Sequence, residues 1–146
     1  MTKNKILVTG AAGFIGSHLT EKLLNQGYHV VAFDRYNSNN DFFWLNELRK
    51  TKKNNCRFLL GDIRDFDSVL FAMRGCSTVF HLAALIGIPY SYYSPQAYIK
   101  TNLEGTYNIL EASRQTKCKN IIITSTSEVY GSAQYLPIDE EHPINS

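Results

Sequence analysis

The fold is decided by the stretch Val8–Leu19, which reads VTGAAGFIGSHL. A short apolar run, Ile6–Val8, leads into it as a buried strand would, and apolar residues then recur at helical spacing from Phe14 to Gln26. Glycines between a strand and a helix permit a tight turn and let the backbone approach a pyrophosphate at the helix N-terminus. The stretch therefore predicts a dinucleotide phosphate loop, with an ordinary turn as the alternative. The predicted cofactor contacts are Gly10, Ala12, Gly13, Phe14, Ile15 and Gly16.

A carboxylate follows the second apolar run. Val30–Phe33 predicts a strand that ends at Asp34, 18 residues after Gly16. A carboxylate there can accept hydrogen bonds from an adenosine ribose and would repel a 2′-phosphate, so the sequence favours NAD over NADP. Arg35 follows directly and could hold a 2′-phosphate, which keeps NADP open. The alternative for Asp34 is a helix N-cap or a surface position.

The rest of the chain alternates short apolar runs with helical patterns. Strands separated by helices of this length form right-handed crossovers, and runs that are apolar on both faces predict a parallel sheet covered on both sides. We therefore predict one α/β domain over residues 1–146, a doubly wound parallel sheet. The further strands are predicted at Phe58–Leu60, Thr78–Leu82 and Ile121–Ile123, the helices near Asp41–Lys50, Asp65–Met73 and Gln96–Thr116, and a long loop at Leu85–Pro95.

Composition excludes several classes of protein. Of the 146 residues 44% are apolar and 19% charged, which predicts a globular chain with a sizeable core. The net charge of +2 argues against a nucleic-acid partner, and the densest basic run, Arg49-Lys50 with Lys52-Lys53, lies at a predicted helix end where cations suit the helix dipole. Three widely spaced cysteines argue against a disulfide framework and a zinc site. With no apolar run long enough for a signal peptide or a membrane span, we expect a soluble, cytoplasmic protein without a metal.

Two more strand ends fall on the edge where ligands of open α/β sheets bind. Asp62 and Ile63 follow the third strand and are placed to meet an adenine. Small residues after the fourth strand would let a cofactor approach the backbone, so we add Leu82, Ala83 and Ala84 to the predicted cofactor contacts. We interpret His81 as a packed or hydrogen-bonded residue at the strand end and not as a base.

After the fifth strand the chain carries hydroxyls, a carboxylate and a tyrosine, in the stretch ITSTSEVYGS at Ile123–Ser132. A strand that only had to be buried would not need them. Glu128, beside an apolar strand end and near a hydride-accepting ring, could have a raised pKa and act as a base. The alternative is a turn residue at a helix start. Thr124 and Ser125 could equally satisfy backbone groups of the loop.

Six segments together resemble the extended short-chain dehydrogenase/reductases, in the nucleotide-sugar epimerase/dehydratase branch. They occur in the order of that family and cover nearly the whole chain: VTGAAGFIGSHL, FDR, GDIRD, HLAA, TNLEGTYNILEA and STSEVYG. The resemblance implies a Rossmann fold, an NAD cofactor and a nucleotide-sugar substrate. It implies removal of hydride from a sugar carbon, commonly C4, followed by epimerisation, loss of water or loss of carboxylate.

The resemblance also assigns roles after the fifth strand. It implies that Thr126 hydrogen-bonds the sugar hydroxyl being oxidised. Glu128 matches the glutamate that takes the C5 proton in 4,6-dehydratases, while Ser127 between them matches the GDP-mannose dehydratases. UDP-glucuronate decarboxylases can carry the same motif, so the reaction stays open. By the same resemblance Asn102 supports the active site, and Asn102 and Thr124 are placed on the cofactor side.

The stretch AALIGIPYSYYSP, Ala83–Pro95, is similar to UDP-N-acetylglucosamine 4,6-dehydratases of the legionaminate type. This resemblance makes Tyr90, Ser91 and Tyr92 candidate substrate contacts, with simple packing of the loop as the alternative. We therefore expect a 4,6-dehydratase acting on UDP-N-acetylglucosamine. An NAD-dependent 4-epimerase and a UDP-glucuronate decarboxylase remain as alternatives.

The family's Tyr-x-x-x-Lys pair does not occur in this sequence, because none of its nine tyrosines has a lysine four residues on. In the family this pair follows the position of HPINS, which is where this chain stops. We therefore expect an N-terminal portion, truncated at the C-terminus and without the substrate domain. On its own it would be a catalytically silent NAD-binding fragment with an uncovered sheet edge, and its parent would be a homodimer paired through the long helix.

Overall fold

Five parallel strands form one sheet in the computed structural model, which describes residues 4–51 and 55–144. The strand order is β3-β2-β1-β4-β5, so the chain starts in the middle, builds one side and then crosses to the other. This order is one of the doubly wound type, and the predicted fold class is confirmed. The strands are β1 Lys5–Thr9, β2 His29–Arg35, β3 Cys56–Gly61, β4 Thr78–His81 and β5 Asn120–Ile123.

Helices connect the strands and cover both faces of the sheet, as the sequence predicts. They are α1 Phe14–Asn25, α2 Asn46–Thr51, α3 Phe66–Met73, α4 Ile88–Tyr93, α5 Pro95–Tyr98 and α6 Gly105–Thr116. Leu7 of β1 lies in a buried cluster with Val69 of α3 and Ile109 of α6. Its neighbours Ile6 and Val8 lie in a second cluster, on the opposite face because side chains alternate along a strand. That cluster includes Leu23, Leu24, Phe42 and Leu45.

Two predicted elements differ from the structure. The segment Leu85–Pro95, predicted as a loop, contains the helix α4, whose first turn includes Pro89, a position where proline costs no hydrogen bond. The helix predicted over Asp41–Lys50 begins instead as a 3-10 turn at Phe43–Leu45, since the backbone of Phe43 has a φ of 48°. Regular α-helix follows only in α2.

The helix predicted over Gln96–Thr116 is present but not uniform. Between α5 and α6 the segment Ile99–Glu104 has the wider π-helical winding. Such short π segments are frequent at functional sites, because the extra residue per turn re-aims a side chain. Here the segment contains Asn102, which the resemblance places in the active site.

Strand β5 lies at an edge of the sheet and leaves it uncovered in the described chain. Ile121, Ile122 and Ile123 remain 38–42% exposed, although their sequence is that of a buried strand. An apolar edge strand with free backbone groups favours association with a further chain segment. The uncovered edge that we predicted is therefore present. In the part of the chain that the structure describes, no helix is long and apolar enough to cross a membrane.

Candidate cofactor and substrate site

The predicted phosphate loop is a tight turn that requires glycine at two positions. Gly10 ends β1 with a φ of +67°, in the left-handed region. A methyl group on Gly16 would lie 2.0 Å from the carbonyl oxygen of Gly10, so the start of α1 packs directly on the turn. The amide of Gly13 donates to the same carbonyl at 3.1 Å. The loop thus brings the N-terminus of α1 to the carboxyl end of β1.

The N-terminus of α1 faces outward and is suited to an anion. The first amides of a helix have no partner within the helix, and α1 begins at Phe14 with Gly13 as its N-cap. The side chains of Phe14 and Ile15 are both exposed. The helix dipole and these amides favour a phosphate at this end. The arrangement has the chemistry that the sequence predicted for a pyrophosphate.

Asp34 is fixed by two backbone amides at the carboxyl end of β2. Its Oδ2 accepts from Ala12 N–H at 2.6 Å and its Oδ1 from Arg35 N–H at 2.7 Å. Asp34 lies within β2 and caps no helix, so the predicted N-cap alternative is wrong. Each carboxylate oxygen keeps a second lone pair, which leaves acceptors for ribose hydroxyls. Ala12 therefore orients Asp34 through its amide, while the Arg35 side chain is exposed.

The two predicted adenine contacts, Asp62 and Ile63, follow β3 and form hydrogen bonds with other residues of the chain. The guanidinium of Arg64 donates to the Asp62 carboxylate and lowers the pKa of that carboxyl group. Ile63 is buried, and its carbonyl accepts from the Asn108 side chain at 2.9 Å. The side chain of Ile63 packs where Gly105 leaves room, since a methyl group there would lie 2.6 Å from Ile63 Cδ1. Asp62 and Ile63 both lie at the carboxyl edge of the sheet, and Ile63 packs against α6.

The residues after β4 lie directly against the phosphate loop. Leu82 N–H and Ala83 N–H both donate to Thr9 Oγ1 at 3.2 Å. A methyl group on Gly10 would lie 2.9 Å from the Ala83 nitrogen. The ends of β1 and β4 are therefore too close for a side chain at position 10. His81 is 4% exposed and hydrogen-bonded through both ring nitrogens, which confirms our interpretation of it. Ala84 is exposed beyond this point.

Asn102 holds the start of the predicted substrate loop. Its side-chain amide donates to the Leu85 carbonyl at 2.8 Å and accepts from the Leu85 amide at 2.8 Å. Beyond Leu85, Ser91 Oγ donates to the Ile88 carbonyl at 2.7 Å, so this hydroxyl is used within α4. Tyr92 is 82% exposed. Of the three candidate substrate contacts, it has the most exposed side chain.

Tyr90 packs against Tyr98, which agrees in part with the alternative that the aromatic residues only pack the loop. Its ring lies 6.1 Å from that of Tyr98, at a tilt of 52°, while the Tyr98 hydroxyl donates to the Gly87 carbonyl. Tyr98 thereby joins α5 to the start of α4. The aromatic residues of this segment thus hold the loop together and also leave a face open to solvent.

The polar stretch after β5 forms a 3-10 turn at Ser127–Tyr130. Thr126 Oγ1 accepts from Glu128 N–H at 3.3 Å, and Thr124 N–H donates to the His81 carbonyl at 3.2 Å. The side chains of Thr126, Ser127 and Glu128 are all exposed. Glu128 lies beyond the end of β5, as predicted, and its carboxylate faces solvent in the described chain. Glu128 lies in a turn, which was the predicted alternative to a base.

A family model described as GDP-mannose 4,6 dehydratase matches residues 7–146. The chain belongs to this family. It is 38% identical over 151 residues to the protein CapI of Staphylococcus aureus, with 97% of this chain and 44% of CapI covered. It is 33% identical over 151 residues to the UDP-glucose 4-epimerase of Pisum sativum, with 99% of this chain and 43% of that protein covered.

A solved relative in the family has the same fold. The crystal structure of a UDP-glucose 4-epimerase from Bifidobacterium longum, in complex with NAD+ and UDP, matches with a TM-score of 0.83 and 33% identity. The match covers 97% of this chain and 43% of that one. The chain thus spans less than half the length of the relatives it matches. The resemblance to nucleotide-sugar epimerases and dehydratases is confirmed at the level of the family.

The sequence analysis missed one buried group of this family member. His142 is 3% exposed, although it lies in a segment without helix or strand. Its Nε2 accepts from Gln134 N–H at 3.0 Å and its Nδ1 donates to the Pro143 carbonyl at 2.9 Å. The ring packs against Tyr130 and Tyr135, with centroids 5.5 and 4.7 Å away. His142 thereby anchors the segment that follows Glu128, and no periodicity marks such a residue.

Proposed function

We propose that the parent protein is an NAD-dependent 4,6-dehydratase acting on a nucleotide sugar, and that the sugar is UDP-N-acetylglucosamine. The observation that carries the proposal is the position of Glu128. It lies in the turn capped by Thr126, beyond β5, on the same edge of the sheet as the phosphate loop. The exposed carboxylate is free to meet a sugar bound at that edge.

The residues present fit NAD. The close turn at Gly10 and Gly16 excludes side chains where a pyrophosphate would approach. Asp34 keeps free lone pairs on both oxygens for ribose hydroxyls, and its charge disfavours a 2′-phosphate. Bound NAD would accept hydride from the sugar carbon, commonly C4, and later return it. The NAD+ complex of the B. longum relative supports this assignment.

The chain's own residues would orient the sugar and move one proton. Thr126 Oγ1 would hydrogen-bond the hydroxyl on the carbon being oxidised. Glu128 would take the proton from C5, made acidic by the neighbouring ketone, while the C6 hydroxyl leaves as water with a proton from an acid. Ser127 stands between them in the turn, and Tyr90, Ser91 and Tyr92 would contact the substrate from α4.

A 4-epimerase is the second candidate, because the P. sativum and B. longum relatives are named UDP-glucose 4-epimerases. An epimerase returns hydride to the opposite face of the ketone and needs no base at C5. Glu128 would then be a turn residue. A UDP-glucuronate decarboxylase remains a third candidate, since its resemblance to the stretch STSEVYG is equally good.

Incubation of the parent protein with UDP-N-acetylglucosamine and NAD tests the proposal. A product lighter by one water supports the dehydratase, and a sugar isomer of unchanged mass supports the epimerase. In a dehydratase, Glu128→Gln should slow water loss by about 10²- to 10⁴-fold and leave NAD binding unchanged. Glu140→Gln, at a second exposed glutamate of the same region, serves as the control. Dehydration that survives Glu128→Gln would remove Glu128 as the base.

We further propose that the parent is a homodimer and that the 146-residue chain alone is catalytically silent. An exposed apolar stripe on the π segment and α6 supports the dimer: it consists of Ile99, Leu103, Tyr107 and Leu110. These residues are spaced three or four apart and so share one side of the helix. Light scattering should give twice the subunit mass for the parent, and a monomeric mass would contradict the proposal. Turnover by the isolated chain would contradict the second part.

A further inference from the structure

We propose that Thr9, His81 and Thr106 form a one-directional hydrogen-bond relay that positions residues 82–85 against the cofactor and the substrate. The proposal rests on the function proposed above, and it adds three residues that act without touching either ligand. They come from the ends of β1 and β4 and from the start of α6. They are positioning residues and not catalytic ones.

The relay is continuous and buried at its centre. Thr9 Oγ1 lies 2.8 Å from His81 Nδ1, and His81 Nε2 lies 3.1 Å from Thr106 Oγ1. The Thr106 hydroxyl also donates to the Asn102 carbonyl at 2.6 Å. Thr9 is 0% exposed, and the ring of His81 is shielded by its neighbours. Water therefore does not compete for the bond between Thr9 and His81, while the bond to Thr106 is half-buried.

The bonds can run in only one direction. Thr9 Oγ1 accepts from Ala83 N–H and shares Leu82 N–H with the Thr9 backbone carbonyl. Its single proton points to His81 Nδ1, because Thr106 requires the ring proton on the other nitrogen. His81 Nδ1 is therefore an acceptor, and the ring proton sits on Nε2. Nε2–H donates to Thr106 Oγ1, whose own proton is committed to the Asn102 carbonyl. A second ring proton would meet the proton of Thr9.

Of the two charge states of His81, only the neutral imidazole can serve between these two hydroxyls. It accepts at one nitrogen and donates at the other, whereas a carboxylate only accepts and an ammonium only donates. Burial lowers the pKa of His81 to about 4, so the ring is neutral near pH 7. The electrostatics thus agree with the direction deduced from the donors and acceptors. The same geometry excludes His81 as a base, because both of its nitrogens are engaged.

Both ends of the relay terminate on the segment after β4. At one end, Thr9 holds the amides of Leu82 and Ala83 beside the phosphate loop. At the other, Thr106 holds the backbone of Asn102, whose side chain binds both backbone groups of Leu85. Residues 82–85 are therefore held from both sides. Their placement depends on the imidazole that joins the two halves.

The test uses the parent protein and three variants. Thr106→Val keeps the shape but removes the hydroxyl, Thr106→Ser keeps the hydroxyl, and Thr101→Val alters a half-buried threonine outside the relay. We expect Thr106→Val to lower kcat about tenfold or more through misplacement of the segment, with the other two variants close to wild type. A Thr106→Val variant with wild-type kcat would overturn the relay. A Thr106→Ser variant as impaired as Thr106→Val would do the same.

The tautomer of His81 gives a readout that needs no turnover. Imidazole ¹⁵N NMR of the wild-type parent at neutral pH should show the proton on Nε2, and Thr106→Val should leave the tautomer mixed. A proton on Nδ1, or a charged ring, would overturn the proposal even if a variant failed to fold. Because this measurement uses no substrate, the relay and the dehydratase assignment can fail separately.

Discussion

The ends of β1 and β4 and the turn after β5 lie on the same edge of one sheet but are built differently. At β1 and β4 the polar groups are buried and bonded to one another, as in the pair formed by Thr9 and His81. In the turn after β5, Thr126 and Glu128 are exposed, and one bond of 3.3 Å joins them. The described groups on the side that would hold the cofactor are thus bonded within the protein, whereas those on the side that would hold the sugar face solvent.

The position of each strand in the sheet explains the difference. β1 lies at the centre, with β2 and β4 as neighbours, and both of its faces are covered. β5 has β4 on one side and no strand on the other among the described residues. Buried polar groups must find partners within the protein, because an unpaired one costs about 1 to 3 kcal/mol. Exposed groups can bond to water instead and need no partner within the protein.

The largest effect that we predict is a loss of stability in acid, caused by the buried end of β4. Burial lowers the pKa of His81 from 6.5 to about 4, so between these values the unfolded chain binds a proton that the folded chain excludes. The stabilising contribution is present above about pH 6.5 and is lost as the pH falls toward 4. It amounts to about 3 kcal/mol of the free energy of unfolding.

Urea denaturation of the parent at pH 7 and pH 4.5 measures this loss, with His81→Asn as the reference. Carboxyl groups titrate in both proteins, so their effects cancel in the difference between them. The wild type should lose more stability than the variant over this interval. Equal losses would mean that His81 is as accessible to protons as the exposed groups of the β5 turn, and the contrast between the two regions would disappear.

Much of this contrast could not be read from the sequence. The strands were predictable because runs such as Ile6–Val8 are apolar on both faces, and the glycines and Asp34 follow from their spacing. The uncovered edge at Ile121–Ile123 followed from the family resemblance and not from the strand itself, since the sequence of a strand does not say whether it has one neighbour or two. For the same reason the exposure of Glu128 cannot be read from its own segment. Among residues 4–51 and 55–144, none buries its side chain.

Other features were hidden because they depend on partners distant in sequence. The bond from His81 to Thr106 joins residues 25 positions apart, and that from Thr9 to His81 joins residues 72 apart. The helix α4 has only 6 residues and contains Pro89, so no apolar period distinguishes its sequence from that of a loop. His142 lies in a segment without regular structure, where a hydrophobic period cannot reveal burial.

A pair of identical substitutions compares the two regions directly. Thr9→Val should destabilise the parent by about 2 kcal/mol, because it leaves His81 Nδ1 and the amide of Ala83 without their partner, while Leu82 N–H keeps the Thr9 backbone carbonyl. Thr126→Val removes one exposed cap of a short turn and should cost about 0.5 kcal/mol. Urea denaturation measures both. Similar costs for the two threonines would contradict the view that one region is fixed internally and the other is not.

The smallest effect concerns the cofactor, at the carboxylate that links the phosphate loop to β2. Asp34→Ala should weaken NAD binding relative to NADP by about 1 to 2 kcal/mol, since it removes a charged acceptor for ribose hydroxyls and the repulsion of a 2′-phosphate. Asp34→Asn separates the two causes: its amide oxygen can still accept from Ala12 N–H, as Oδ2 does at 2.6 Å, but the charge is gone. Calorimetric titration with each dinucleotide gives the ratio.

Arg35 decides how the result for Asp34 is interpreted. If the Arg35 side chain holds a 2′-phosphate, Arg35→Ala added to Asp34→Ala should cancel any gain in NADP affinity and leave the loss of NAD affinity. Because Arg35 is exposed, this second change should have little effect on folding. An NAD/NADP preference that Asp34→Ala leaves unchanged would instead show that the carboxylate only orients the phosphate loop, through its bond from Ala12. The preference between the two dinucleotides would then come from groups other than Asp34, because the glycine turn meets a pyrophosphate that both dinucleotides share.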